Sequence, residues 1–464
     1  MKKYVITIIL CLLLLGTIGV FVVLNSREEE ETTKKGTTRN AEDYHVGKKP
    51  TPTKSPDSTP TPTSAPQKTH LTMWCIATET DSNRHAYEEA IQDVLSEHPE
   101  VEFTWETTEA EYYKIKIKAA VVAKEMPDIF FSWGCAFLED FVREGRVYCL
   151  DEAYTVYGDG LPEKYCKSST YGGKKYGVPL TFSAALLYAN MDILNQVGYS
   201  SIPETYMDLM ECCQKLKMAG IIPFGCSTSE IWCVSEYLES IMIKTMGTAE
   251  MDALFRGEST WNNINLIYSV NEFRYFVKAG YIAYPGEKDA SASGSYQYTS
   301  NDTVKAAFAA GDIAFYINGS WNCADFSLYD INIGIGELPS FNDSAAKEGT
   351  FIGGPCEVLS VSADSENREL AAQIAFELGK QISHYGYLDG CGLPAWDVTY
   401  DDLWINPITK AAKEYVDSCS DMIVYGDTAL NGDDVGYYLS MISDVVNRDI
   451  DGTEFAEKMK EYVR

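Results

Sequence analysis

The sequence predicts an α/β fold. From residue 71 onward, apolar runs of strand length alternate with stretches of helical periodicity. Two of the runs, 126–131 and 311–317, are apolar almost throughout, as buried strands are. No segment of 20 to 50 residues repeats, so a solenoid is excluded. With 464 residues, 45% hydrophobic and 23% charged, the chain can bury a sizeable core and divide into two or three domains, which excludes wholesale disorder.

The chain opens with Lys2 and Lys3, then an uncharged apolar run over residues 4–24, then Arg27 and Glu28 to Glu31. That pattern is a membrane anchor or signal segment, with the lysines inside and the remainder outside. Cys11 follows Ile9 and Leu10 rather than a small residue, and no small-residue cleavage site follows Leu24, so a retained anchor is the expectation. Residues 25–70 form a Thr/Pro-rich linker with polyproline preference; its eight basic and seven acidic residues leave it near neutral. The chain's net charge is −30, and its excess of negative charge therefore lies in residues 71–464, so nucleic acid is not an expected partner.

Within that domain a strand opens at Leu71, a helix is expected over 83–96, a strand over 101–107, a helix over 109–124 and a strand over 126–131. Strand, helix, strand, helix, strand is the order of a parallel sheet. A further strand is expected over 184–190, with a helix starting at Asp192 and another running from Pro203 to Gly220. Helices over 264–278 and 301–310 precede the strand at 311–317. Helices return at 367–383, 407–417, 435–446 and 453–463. Thirteen cysteines are scattered with no metal-site spacing; free, mostly buried thiols are one reading, and a few disulfides, which an exported chain can form, are the other. Asn447 to Gly452 (NRDIDG) imitates the start of a calcium loop, but the twelfth position, which needs a bidentate Glu, is Lys458; a turn between two helices is the better reading. No phosphate-binding loop, dinucleotide fingerprint, zinc-protease or nucleophile-elbow motif occurs, and none of His85, His98 and His384 sits in a nucleophile-and-base pattern. The chain is therefore expected to be no enzyme and to need no cofactor or metal.

Several segments in order carry a resemblance: MPDIFFSWG from Met126, YGVP from Tyr176, LYANMDIL from Leu187, PETYMDL from Pro203, KLKMAGIIP from Lys215, FAAGDIAFYINGSW from Phe308, and Gly353-Gly354 ahead of VLSV from Val358. Residues 71–464 resemble the family 1 extracellular solute-binding proteins of ABC importers, the maltose-binding-like group. The resemblance implies a periplasmic-binding-protein-like fold with two discontinuous lobes and a hinge cleft. Lobe 1 would comprise about 71–182 and 358–395, and lobe 2 about 183–357 and 396–464. It also implies a monomeric extracellular receptor, held at the cell membrane by its N-terminal segment, that captures a carbohydrate, most simply an oligosaccharide, and delivers it to an ABC permease. The rival readings are a surface sensor that signals through a partner and a glycan-active enzyme.

Sugars present flat C–H faces rimmed by hydroxyls, so their sites combine aromatic rings with planar acceptors. Trp133, just past a strand end, and Trp321, in the Asn-Gly-Ser-Trp turn, are the leading candidates. Trp232 and Glu230 match the acidic and aromatic segment of the family, Glu79 lies in the loop after the first strand, and Glu357 and Tyr438 match ligand-facing regions. Trp74, Trp105, Trp261, Trp396 and Trp404 are assigned to packing.

Overall fold

The computed structural model describes residues 68–227, 230–283, 300–341, 349–354, 357–397 and 405–463. The expected anchor over 4–24, the linker as far as residue 67, and Trp404 lie outside them. Among the described residues no helix is long and apolar enough to cross a membrane.

In chain order the first group of elements is β1 (Thr69–Cys75), α1 (Arg84–Glu97), β2 (Val101–Thr107), α2 (Ala110–Ala123), β3 (Ile129–Trp133), α3 (Ala136–Arg143), α4 (Asp151–Tyr157) and β4 (Val178–Pro179). The chain then enters β5 (Thr181–Asn190), α5 (Met191–Gln196), α6 (Tyr206–Met218), β6 (Ile222–Gly225), α7 (Ile231–Thr245), α8 (Thr248–Phe255), α9 (Ile264–Lys278), β7 (Ile282–Ala283), α10 (Asn301–Ala310), β8 (Ile313–Gly319), α11 (Cys323–Phe326), β9 (Ile333–Gly336) and β10 (Thr350–Gly354). It returns through β11 (Glu357–Val361) and α12 (Arg368–Asp389), and finishes with β12 (Leu393–Pro394), α13 (Pro407–Ser418), β13 (Asp421–Ile423), α14 (Gly426–Ala429), α15 (Gly432–Asn447) and α16 (Gly452–Tyr462).

Two sheets organise these elements. The first has five strands in the order β2-β1-β3-β11-β4, with β1, β2 and β3 parallel and β11 antiparallel to both its neighbours. The second has eight strands: a path β13-β10-β5-β8-β6-β7, with β9 and β12 also pairing β5. Leu180 alone separates β4 in one sheet from β5 in the other. The chain crosses back between β10 and β11, and again between α12, which packs in the core of the first sheet, and β12, which pairs with β5. Each lobe is thus built from separated pieces of sequence.

Local chemistry explains the element ends. Glu109 caps α2 by accepting from the backbone N–H groups of Glu111 and Tyr112; Ser300 and Thr303 form a capping box on α10, which stops at Gly311 in the left-handed conformation. The strand expected from Met126 begins only at Ile129. Pro127 has no N–H to give, and the Asp128 carboxylate instead accepts from the backbone and hydroxyl of Thr72 at 2.8 Å each. All ten residues of β5 are buried because its two faces serve different cores: Ala185, Leu187 and Ala189 on one side, Ala184, Leu186 and Tyr188 on the other.

The eleven cysteines among the described residues are free thiols, most of them buried, the first of the two readings open in the sequence. Trp396 packs edge-on against Phe376 in the first lobe's core, its Nε1 donating to the carbonyl of Pro179 at 2.8 Å. The calcium-like segment is a turn between α15 and α16, and the carboxylate of Asp449 is held by Arg274 and Lys278 at 2.6 Å each.

Candidate functional site

The C-terminal ends of parallel strands leave a crevice where ligands collect in open α/β sheets. Trp133, the last residue of β3, stands at such an end. Phe131 and Phe137 meet its ring edge-on at 4.9 and 5.3 Å between centroids, and the Lys114 ammonium lies 5.1 Å from its centre. Trp133 is thereby held half-exposed on the first lobe's side of the cleft.

Trp321 stands on the other lobe, in the turn after β8. The preceding residues are fixed by buried hydrogen bonds. The Asn318 carbonyl oxygen accepts from Gly319 N–H at 2.8 Å and from the Asn322 amide at 2.7 Å, and its amide donates to Tyr316 at 2.8 Å. Ser320 accepts from the backbone N–H of Ala184 on β5 at 3.2 Å. The Trp321 ring lies over Gly319 so closely that a Cβ there would overlap it, so the glycine is required by close approach. Trp232, in the first turn of α7, meets Trp321 at 5.9 Å and 63°, and Tyr425 meets Trp321 from the far side at 6.4 Å.

Between these rings lies a cleft with an inner cavity of about 240 Å³ and an outer one of about 480 Å³, which share Asp81, Ser82, Glu111, Trp232 and Trp321 in their walls. Both lobes and the crossing segments contribute. Asp81, Lys114 and Trp133 come from the first lobe, Trp232, Glu236 and Asp427 from the second, and Ser183 and Glu357 from beside the crossings. Of the residues singled out in the sequence, Trp133, Trp232, Trp321 and Glu357 line the inner cavity and Glu230 the outer one. Glu357 opens β11 and accepts from the Thr181 hydroxyl at 3.2 Å; burial, with the charge of Asp81 added, raises its pKa to about 7.

Two of the residues singled out in the sequence stand outside both cavity walls. Tyr438 is wholly buried in the second lobe, ringed by Phe255, Trp261 and Phe455, and donates to Glu239 at 3.1 Å; it lines neither cavity, because its face of α15 closes on α7. Glu79 is exposed and paired with Arg84 at 3.0 Å, outside both cavity walls.

Other lining residues escaped the sequence reading. Glu236, on α7, is 1% exposed and neither carboxyl oxygen has a hydrogen-bond partner among the described residues. Burial, with Glu239 and Asp427 adding to it, holds its pKa well above the usual carboxylate range. Burial likewise raises Asp427, on the short helix α14, and Asp81, whose carboxylate accepts from Asn83 N–H at 2.8 Å. Among the described residues no cluster of His, Cys, Asp and Glu could hold a metal ion.

The comparisons with known proteins agree with this geometry. Residues 86–377, more than half of the chain, match the profile described as bacterial extracellular solute-binding protein. The galactooligosaccharide-binding protein of Bacillus subtilis is 24% identical over 252 residues, 53% of this chain and 54% of its own length. The sn-glycerol-3-phosphate-binding periplasmic protein UgpB of Rhizobium meliloti is 23% identical over 219 residues, 46% of this chain and 47% of its own. The chain thus spans about half the length of these curated relatives. A structure from work on xylan utilization by Caldanaerobius polysaccharolyticus superposes with a TM-score of 0.78 at 26% identity, covering 85% of this chain and 100% of that one. A chitin oligosaccharide binding protein superposes at 0.74 with 20% identity, covering 85% and 98%. Fold and family are those of receptors rather than enzymes: the chain belongs to the bacterial extracellular solute-binding proteins.

Proposed function

We propose that this protein captures a carbohydrate, an oligosaccharide rather than a single sugar, by closing its two lobes, and delivers it to an ABC permease. The observation that carries the proposal is the cleft itself, in which Trp133 from one lobe faces the Trp232 and Trp321 pair of the other across walls of carboxyl and hydroxyl groups. Rings cover sugar C–H faces, carboxylates accept from hydroxyls, and closure removes water from both at once. The continuous inner and outer cavities suit more than one sugar unit. Lobe boundaries near Leu180 and between Gly354 and Glu357 give the hinge its place in this reading. Among relatives, one is named for galactooligosaccharide and another for sn-glycerol-3-phosphate. The acidic inner cavity favours the first kind of ligand, since a phosphate would meet several carboxyl groups and, among the described residues, one cation, Lys114. A monomer tethered outside the cell membrane by residues 4–24 completes the proposal.

The test is thermal unfolding of the purified chain against a panel of oligosaccharides, with glycerol phosphate, amino acids and peptides as controls. A ligand at a hundred times its dissociation constant stabilises the folded state by about 2.7 kcal/mol. A selective upward shift with one glycan series supports the proposal; shifts confined to a control class overturn the carbohydrate assignment.

A further inference from the structure

The inner cavity has an unusual charge balance. Its walls carry five carboxyl groups, Asp81, Glu111, Glu236, Glu357 and Asp427, and one cation, Lys114. Lys114 is already engaged: its ammonium sits 2.8 Å from Glu111 and over the Trp133 ring. Setting that pair aside leaves four carboxyl groups with no cation on the cavity wall among the described residues.

Glu236 is the sharpest case. It lines the cavity at 1% exposure, neither oxygen finds a hydrogen-bond partner among the described residues, and burial, with Glu239 and Asp427 adding to it, disfavours its charged form. Two polar neighbours on the same helix are satisfied: Glu239 accepts from the Gly426 N–H at 3.0 Å and from Tyr438 at 3.1 Å, and Ser235 donates to the Trp232 carbonyl at 2.7 Å. A buried acceptor left open beside satisfied neighbours marks the place where a ligand donor belongs. Sugar hydroxyls would fill the lone pairs but bring no positive charge, so burial would still hold these four carboxyl groups toward their neutral forms. An ammonium group brings both. Trp232, Trp321 and Tyr425 stand around the same space, and aromatic faces attract cations as well as covering C–H surfaces.

We infer that the inner cavity takes a protonated amine carried by the buried sugar unit, so that the ligand is an unacetylated amino sugar or an oligosaccharide that ends in one. The inference rests on the carbohydrate reading and narrows it. The ammonium donates to Glu236 with Asp427 beside it, the sugar ring lies against Trp321, and the remaining units extend into the outer cavity past Glu230.

The experiment is titration calorimetry of the full chain near pH 7 with the glucosamine trimer, the N-acetylglucosamine trimer, the glucose trimer and spermidine. The expected result is a dissociation constant for the glucosamine trimer at least tenfold below that of either neutral trimer. That ratio should fall to about one in Glu236→Gln, with Asp427→Asn as the second variant if the first fails to fold by circular dichroism. Equal or tighter binding of a neutral trimer overturns the amine inference and leaves the carbohydrate reading standing. Binding of spermidine alone, or of nothing on the panel while a non-sugar ligand shifts the melting curve, overturns both.

Discussion

In the proposed site, recognition rests on individual side chains, and Trp321 is fixed by close packing over Gly319 and against Trp232 and Tyr425. Trp321→Ala should weaken oligosaccharide binding by tenfold or more, on the order of 2 kcal/mol for a central aromatic contact, with an unchanged far-ultraviolet circular dichroism spectrum. Gly319→Ala should weaken it too, although Gly319 lies beneath the ring, because the new methyl displaces it; a loss in calorimetry equal to that of Trp321→Ala is the expected reading. The place of Trp133 and Trp321 on the cavity wall was legible in the sequence because one ends and the other shortly follows a strand with an unmistakable apolar run. Glu236 was not legible. It lies between Ser235 and Tyr237 in a helix buried almost all round, where no polar face signals orientation. Tyr438 misled in the opposite direction, since aromatic character alone does not say whether a helix turns that face to a cleft or to a neighbouring helix.

At the scale of elements, a histidine adds a pH-sensitive tie between α1 and α12, which also pack together and bond through Tyr385 and Asp93. His98, at the C-terminal end of α1, bonds Glu100 at 3.0 Å and Glu377 on α12 at 2.6 Å. Burial by itself would lower its pKa, but the two carboxylates outweigh burial and hold it above its ordinary value. A folded-state pKa raised above the unfolded one contributes stability that is fully present below about pH 6.5 and is lost as pH rises through the folded value. The melting temperature of the wild type should therefore decline across that window relative to His98→Gln, whose profile should be flatter there. A second tie joins α7 to β10: the buried Lys244 ammonium donates to the Thr350 carbonyl at 2.9 Å and pairs with Glu337 at 2.5 Å. Lys244→Met should cost on the order of 3 kcal/mol in urea unfolding, less if water reaches Glu337. Most helices outside the 231–255 region were legible from periodicity and caps, the expected 264–278 and 301–310 matching α9 and α10 to the residue. α7 and α8 were not anticipated: α7 is buried on nearly every face and so shows no amphipathic period, and α8 is only eight residues long.

For the whole molecule, the two lobes draw on separate cores, and the thiols sit inside them. Burial pushes Cys75 and Cys323 up to about 12, so alkylation of the folded protein at pH 7.5 should be slow at these positions and become fast on denaturation, a contrast that mass spectrometry would count directly. Lobes were legible as a resemblance carried by ordered segments; which strand neighbours which was not, since β11 enters between β3 and β4 from more than 170 residues downstream. That insertion has a temporal meaning. A chain delivered from its N-terminus, whether by a ribosome or through a membrane pore, cannot complete its first sheet until residue 361 has emerged, and β5 waits for residue 394 before its last partner arrives. Closing such distant pairings is slow, and until then the early strands keep open edges. The topology thus leaves early strands without their partners during delivery: the first sheet closes at residue 361, and the second only at residue 423, when β13 joins β10.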